Sequence, residues 1–381
     1  MVLVPWDRMI PYLQGYQGLC ANARYSIPTG FVNSLAVDPF LGQYLLCGLA
    51  DSGIRIFDLE NEGHEPLASV PPKATHKFGV SIVQWWKQDN GMFASGSFDN
   101  TVAVWDADAL EAVYQFNLES KVYNLDWNND GIIATALDSP YIRLLDVRSG
   151  SQSHVLKGHG GKLLSVKWSP VQSYLLASAG SDGTVKIWDI RQARPLVECL
   201  DMNRTSETKE LEPLAFRKSH RAAVNGICWH HSGSKLVSAG NDNKIRVWNL
   251  GITGGLNDGV GFGPSFQNRF LQNNDPIIST PKHRIEPLLL VNNGTGQVLV
   301  FYLESGKLLV RLEPIRGPAS TRQACLTARG DLLEYYSGDG DGCITQWKYS
   351  VNQALAEIPM TPVENSYKLG DFLALGSTKS R

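Results

Sequence analysis

The sequence predicts an all-β fold, a seven-bladed β-propeller preceded by a short N-terminal helical segment, and three observations predict it. A pattern recurs along the chain. SVKWSP (165–170) with ASAGSDGTVKIWDI (177–190) returns as GICWHH (226–231) with VSAGNDNKIRVWNL (237–250), and as VQWW (83–86) with ASGSFDNTVAVWDA (94–107). The copies return at roughly 40–45 residues, the period of a propeller blade. Trp85, Trp127, Trp168 and Trp229 occupy one repeat position, and Trp105, Trp188, Trp248 and Trp347 another.

Each blade can be assigned in order. A first strand of the form Val/Leu-x-x-apolar-x-Trp/Val begins at Val32, Val80, Val122, Leu163 and Val224. A turn aspartate then precedes a third strand that ends in a large apolar residue plus Asp or Asn. The pairs are Asp51 with Phe57-Asp58, Asp99 with Trp105-Asp106, Asp138 with Leu145-Asp146, Asp182 with Trp188-Asp189 and Asp242 with Trp248-Asn249. Two eroded copies, 288–303 and 333–348, complete seven. Thr184 to Trp188 reads Thr-Val-Lys-Ile-Trp, the period-two alternation of a β-strand. Ser-Asp-Gly (181–183) and Asn-Asp-Asn (241–243) carry the chemistry of tight hairpin turns. SHVL (153–156) reads as an outer fourth strand. Arg24–Ile27 aligns with it and is expected to pair with the last blade, closing the ring and hiding its edges. The organisation is therefore 1–22 as an N-terminal segment, 23–350 as the propeller and 351–381 as a tail.

Three stretches lie outside the pattern: 200–219 with mixed charge, 251–284 rich in Gly, Asn and Pro, and the tail after Ser350. Residues 251–284 are expected to be partly disordered. Near the start, Leu3, Trp6, Ile10 and Leu13 form an amphipathic stripe. Pro5 suits a helix start and Pro11 a break, so two short helical pieces are expected.

Composition narrows the function. A net charge of −2 is not that of a polyanion binder. Six cysteines without a C-x-x-C pair resemble neither a zinc site nor a disulfide framework and suit a reducing compartment. No apolar run reaches membrane-spanning length, and the N-terminus lacks the form of a secretory signal. GHGGKL (158–163) has the wrong spacing for a phosphate loop, and Asp339-Gly-Asp-Gly lacks a calcium loop's next oxygen at Cys343. No nucleophile elbow appears, and no polar cluster is expected in the central channel beyond what the repeats explain. No cofactor or metal is expected. The basic cluster Arg217, Lys218 and Arg221 precedes a first strand, as a solvated loop or a contact for an acidic partner or nucleic acid.

These repeats resemble WD-repeat propellers. The resemblance implies a buried hydrogen-bonded set in a blade, at His159, Ser178, Asp182 and Trp188 and again at His220, Ser238, Asp242 and Trp248. Such a set mimics a Ser-His-Asp triad. Its recurrence in two blades favours structure, because a buried carboxylate must be paired wherever it occurs. A finer resemblance lies in SFDNTVAVWDADAL (97–110), GSQSHVLKGHGGKLLSVKWSP (150–170), WDIRQA (188–193), AVNGI (223–227), VNSLAVDPFLGQYLL (32–46) and VQWWKQDNGMF (83–93). Together they look like the Cockayne syndrome group A family, over about residues 28–250. The resemblance implies a nuclear, non-catalytic substrate receptor of cullin-4-type RING ubiquitin ligases in transcription-coupled nucleotide excision repair. Its partners would be the adaptor damaged-DNA-binding protein 1, a Cockayne syndrome group B-like remodeller and stalled RNA polymerase II. Asp146-Val-Arg148 and Trp188-Asp-Ile-Arg191 match the WD-x-R signature of such receptors, the first with Leu145 in place of Trp. The implied adaptor-docking residues are Leu3, Trp6, Ile10, Leu13, Arg148 and Arg191. A scaffold of another nuclear complex, in chromatin or RNA processing, is the alternative.

Overall fold

A computed structural model describes residues 19–26, 30–61, 65–74, 76–205, 213, 217–251, 254–280, 286–313, 323–330 and 334–349. The stripe Leu3, Trp6, Ile10, Leu13 and the tail 351–381 lie outside the described residues. Among the described residues there is no helix. The chain forms seven four-stranded antiparallel sheets, a seven-bladed β-propeller. Their first strands are Val32–Val37, Val80–Trp85, Val122–Trp127, Leu163–Trp168, Val224–Trp229, Ile277–Ser279 and Gln323–Ala328. Blades are numbered here in that order.

Blade 4 shows the local logic. It continues with Leu175–Gly180, Val185–Asp189 and Leu196–Cys199. Its first three strands are almost wholly buried, because neighbouring blades cover both faces. The first strands of six blades carry an irregularity after their opening residue, as between Leu163 and Ser165 or Val122 and Asn124. A bulge bends and twists a strand, and here it does so where strands converge on the channel.

Blades are bolted together through the first-strand tryptophans. Trp85, Trp168 and Trp229 donate from Nε1 to the carbonyls of Ala36, Asp126 and Lys167 in the preceding first strand, at 3.1, 3.1 and 3.0 Å. Glycine enters where blades approach closely: a Cβ on Gly96 would stand 2.6 Å from Val122 Cγ1 of the next blade. The ring closes between chain ends. Leu19–Ser26 runs antiparallel to Cys343–Tyr349, with Arg24 opposite Thr345 and Tyr25 opposite Ile344. This strand begins before Arg24, because a register shift at Ala21/Ala23 lets the pairing continue.

The expectation of partial disorder in 251–284 does not hold for its described part. Residues 254–280 pack as a strap. Phe262 and Phe266 are buried beside Leu299 and Phe301 in the core of blade 6. The asparagines that weakened the periodic signal satisfy the irregular backbone. Asn225 Nδ2 donates to the carbonyls of Phe270 and Gln272 at 2.8 and 2.7 Å, and Asn268 Nδ2 donates to Asn225 Oδ1 at 2.6 Å. Loop backbone groups need such partners when water cannot reach them.

Candidate interaction faces and the central channel

Antiparallel order gives the ring two faces. Turns between first and second strands and between third and fourth strands share one, called lower here. Turns between second and third strands and the connections between blades share the other, called upper.

The turn aspartates lie on the upper side, where the structure brings the predicted sets together. In blade 4, Trp188 Nε1 donates to Ser178 Oγ at 2.7 Å. Ser178 Oγ lies 2.7 Å from His159 Nε2, and His159 Nδ1 lies 3.1 Å from Asp182 Oδ2. One proton arrangement serves the whole chain: Ser178 donates to a neutral imidazole, whose Nδ1–H donates to the carboxylate. Blade 5 repeats it, with Trp248 to Ser238 at 2.8 Å, Ser238 to His220 at 2.7 Å and His220 to Asp242 at 2.8 Å. Burial pushes both imidazoles below their ordinary value, and hydrogen bonds to the aspartates offset this only in part. For Asp182 burial acts upward, but bonds from His159, the Gly160 N–H and Thr184 outweigh it and hold the carboxyl well below the usual range. Asp242 behaves alike through His220, the Arg221 N–H and Arg246. Ser178 and Ser238 are fully buried, so neither hydroxyl can meet a substrate.

A third set escaped the sequence reading. Trp105, Ser95, His76 and Asp99 join at 2.8, 2.7 and 3.3 Å in blade 2. Spacing would have found it. His precedes Asp by 23 positions in blades 2 and 4 and by 22 in blade 5, and Ser precedes Trp by 10 in all three. In blade 3, Leu145 offers no side-chain N–H, and Thr135 in the serine position donates to the Arg143 carbonyl instead, at 3.0 Å.

The channel corrects a second expectation: a polar cluster does converge on it. Lys87 pairs with Asp126 at 3.1 Å, and Lys167 with Asp275 of the strap at 3.0 Å. Asp275 also accepts from Asn124 at 2.7 Å, Ser165 at 2.6 Å and the Ile227 N–H at 3.1 Å, so one carboxylate ties blades 3, 4 and 5. Burial acts to lower the Lys167 ammonium, but Asp275 and Asp126 outweigh it and keep the charge firmly in place. The cavity is about 470 Å³, and Cys228 on its wall has its thiol pushed up to about 11, chiefly by burial. That thiol is a poor nucleophile at neutral pH. Asp126, Lys167 and Cys228 each directly precede a first-strand tryptophan, so period-two alternation would have placed them together. Asp275 had no periodic signal.

Arg148 and Arg191 sit in corresponding turns of blades 3 and 4 on the lower face. In both, the backbone N–H caps the aspartate two residues earlier, at 2.9 Å to Asp146 and 3.0 Å to Asp189. The side chains differ. Arg191 grips Asp189 through Nε and Nη2 at 3.0 and 2.8 Å and stacks 3.3 Å over the Tyr174 ring. The guanidinium in turn holds the Asp189 carboxyl down at about 2. Arg148 makes no ion pair among the described residues. The upper basic cluster is brought together in part. Lys218 Nζ rests on the Asp182 carbonyl, and the Arg221 N–H donates to Asp242 at 3.1 Å. The Arg217 carbonyl accepts from the Cys199 thiol.

The fold is a seven-bladed β-propeller, and three stretches of it carry WD repeats. A family model described as "WD domain, G-beta repeat" matches residues 69–106, 150–189 and 211–249. Among known proteins, the chain is similar to the WD repeat-containing protein ATCSA-1 of Arabidopsis thaliana, 27% identical over 84% of this chain and 85% of that protein. It is also similar to Radiation-sensitive protein 28 of Saccharomyces cerevisiae, 32% identical over 45% of this chain and 38% of that one. Histone acetyltransferase type B subunit 2 of Candida glabrata is 23% identical over 61% of this chain and 55% of its own length.

Proposed function

We propose that this propeller is a non-catalytic substrate receptor of the Cockayne syndrome group A type. It docks on damaged-DNA-binding protein 1 within a cullin-4 RING ligase and acts in transcription-coupled repair in the nucleus. The observation that carries the reading is the pair of Asp-x-Arg turns, Asp146–Arg148 and Asp189–Arg191, on adjacent blades of one face. The Arg148 cation suits bidentate contact with a partner carboxylate, whereas Arg191, held by Asp189 and Tyr174, offers a partner its remaining Nη1 donors. Similarity to ATCSA-1 over most of the chain, and to a protein named for radiation sensitivity, supports it. The mechanism is tethering: the lower face and the segment bearing Leu3, Trp6, Ile10 and Leu13 hold the adaptor. The upper face holds the target, a Cockayne syndrome group B-like remodeller at stalled polymerase, and raises its local concentration near the ligase.

Replacing Arg148 and Arg191 together with Glu is expected to abolish adaptor pull-down and to lower the melting temperature only slightly, since Arg191 gives up a surface pair with Asp189. Undiminished pull-down refutes the docking assignment. The likeness to a histone acetyltransferase subunit favours the second reading, a chromatin scaffold. Association of the unaltered chain with histones, and none with the adaptor, would select it.

A further inference from the structure

The upper face carries one continuous strip that adaptor docking leaves unused. We propose that this strip docks an acidic peptide segment of a partner protein, its carboxylates over blades 4 and 5 and its apolar side chains at either end. The inference rests on the scaffold reading of the ring and does not require the lower-face contact.

The strip can be followed from contact to contact. Phe78, in the connection into blade 2, is largely exposed. Phe98 lies beside that connection, its N–H donating to the Gly79 carbonyl at 3.2 Å, and meets the Tyr123 ring edge-on at 6.1 Å. Lys162 Nζ stands 5.5 Å over the Tyr123 ring. The Lys162 carbonyl accepts from the Ser181 N–H at 2.8 Å, and Ser181 borders a cleft of about 250 Å³. Lys218, Arg221, Met202 and Ala222 also line that cleft. Beyond it, Arg221 is held to Asp242, and the adjacent Asn241 donates to the Phe270 carbonyl at 2.9 Å. Phe270 and Leu271 both stand exposed on the strap.

The middle of the strip is positive because Lys218, Arg221, Lys244 and Arg246 outnumber Asp182 and Asp242, whose carboxylates are largely buried. Asp182 is taken by His159, Thr184 and the Gly160 N–H. Asp242 is taken by His220, Arg246 and the N–H groups of Arg221 and Lys244. Lys218 has only a backbone carbonyl, and the Arg221 and Lys244 side chains have no ion pair among the described residues. Cations over a cleft, flanked by exposed rings and a leucine, complement an anionic segment with apolar anchors. Nucleic acid fits less well. A nucleic acid carries a phosphate at every step, whereas the cations here are confined to the middle of the strip and its ends are apolar.

The test uses the full chain and an array of short synthetic peptides. Each carries a central Glu/Asp run between Phe or Leu residues, and each is paired with its Gln/Asn counterpart. A single-stranded DNA oligonucleotide is included. Some acidic peptides are expected to bind at least about tenfold more tightly than their amide counterparts, less so as salt rises. Lys218→Glu with Arg221→Glu should remove that preference and leave adaptor pull-down intact. The milder pair Arg221→Gln with Lys244→Gln should halve it or more, which guards against a misfolded first variant. No preference for acidic peptides, tighter binding of the oligonucleotide, or an unchanged preference in both variants overturns the proposal. Failure of adaptor docking would appear separately, in the Arg148/Arg191 variant.

Discussion

Blades 4 and 6 have the same four-stranded form and opposite chemistry. In blade 4, Ser178 and Trp188 are joined by a hydrogen bond and extended by His159 and Asp182. In blade 6, Val291 and Phe301 stand in the same registers, since Leu289 faces Phe301 as Leu176 faces Trp188. Phe301 meets Phe262 of the strap edge-on at 5.4 Å. Donor and acceptor have vanished together, so neither of these two positions leaves a polar group unpaired, and an apolar strap fills the place of the polar chain. Removing one partner of a buried pair is costly, whereas replacing both by apolar groups can be nearly neutral. A blade can therefore erode in sequence and still hold its shape, provided it erodes as a unit.

Three measurements would break or sharpen that contrast. Phe266 is 1% exposed in the blade 6 cluster. Phe266→Ala is expected to cost about 3–5 kcal/mol in chemical denaturation. A cost near zero would mean that the strap merely lies over the blade. Asp182→Ala should cost about 2–4 kcal/mol, because His159 and Thr184 lose their acceptor. A negligible loss would show that the polar chain is dispensable.

The third is acid sensitivity, which should be confined at first to the polar blades. Burial lowers His159 and His220 in the folded state, so the unfolded chain binds protons first. Their contribution is whole above about pH 7 and is lost as pH falls through about 6.5 toward the lower folded value. Asp182 and Asp242, held below their ordinary range, add a second loss below about pH 4. Hydrogen exchange near pH 5.5 should show Leu175–Gly180 and Lys235–Gly240 losing protection before Leu288–Asn292. A uniform loss would deny the distinction.

Legibility followed periodicity. The opening residues of five first strands could be read to the residue, because Val32, Val80, Val122, Leu163 and Val224 each begin the recurring Val/Leu-x-x-apolar-x-Trp/Val pattern. The closing strand could be read from an alignment of the chain with itself, although its true start at Leu19 depends on a bulge that no alternation announces. The strap was misread for a physical reason. Order there comes from side-chain amides bonding an irregular backbone, and composition scores that chemistry as loop. Asp275 therefore had no pattern to betray it, whereas Asp126 and Lys167 did. Of the residues proposed for docking, Arg148 and Arg191 were legible only through a resemblance, and their different surroundings depend on Tyr174, which no motif includes.

The last sheet borrows its outermost strand, Leu19–Ser26, from the opposite end of the chain. A ribosome makes that strand before every other described strand and its mate Cys343–Tyr349 after all of them. Until the mate emerges the nascent toroid stays unlatched, with a lone strand waiting for hydrogen-bonding company. Premature termination before Cys343 would thus leave both margins of the ring open to other chains.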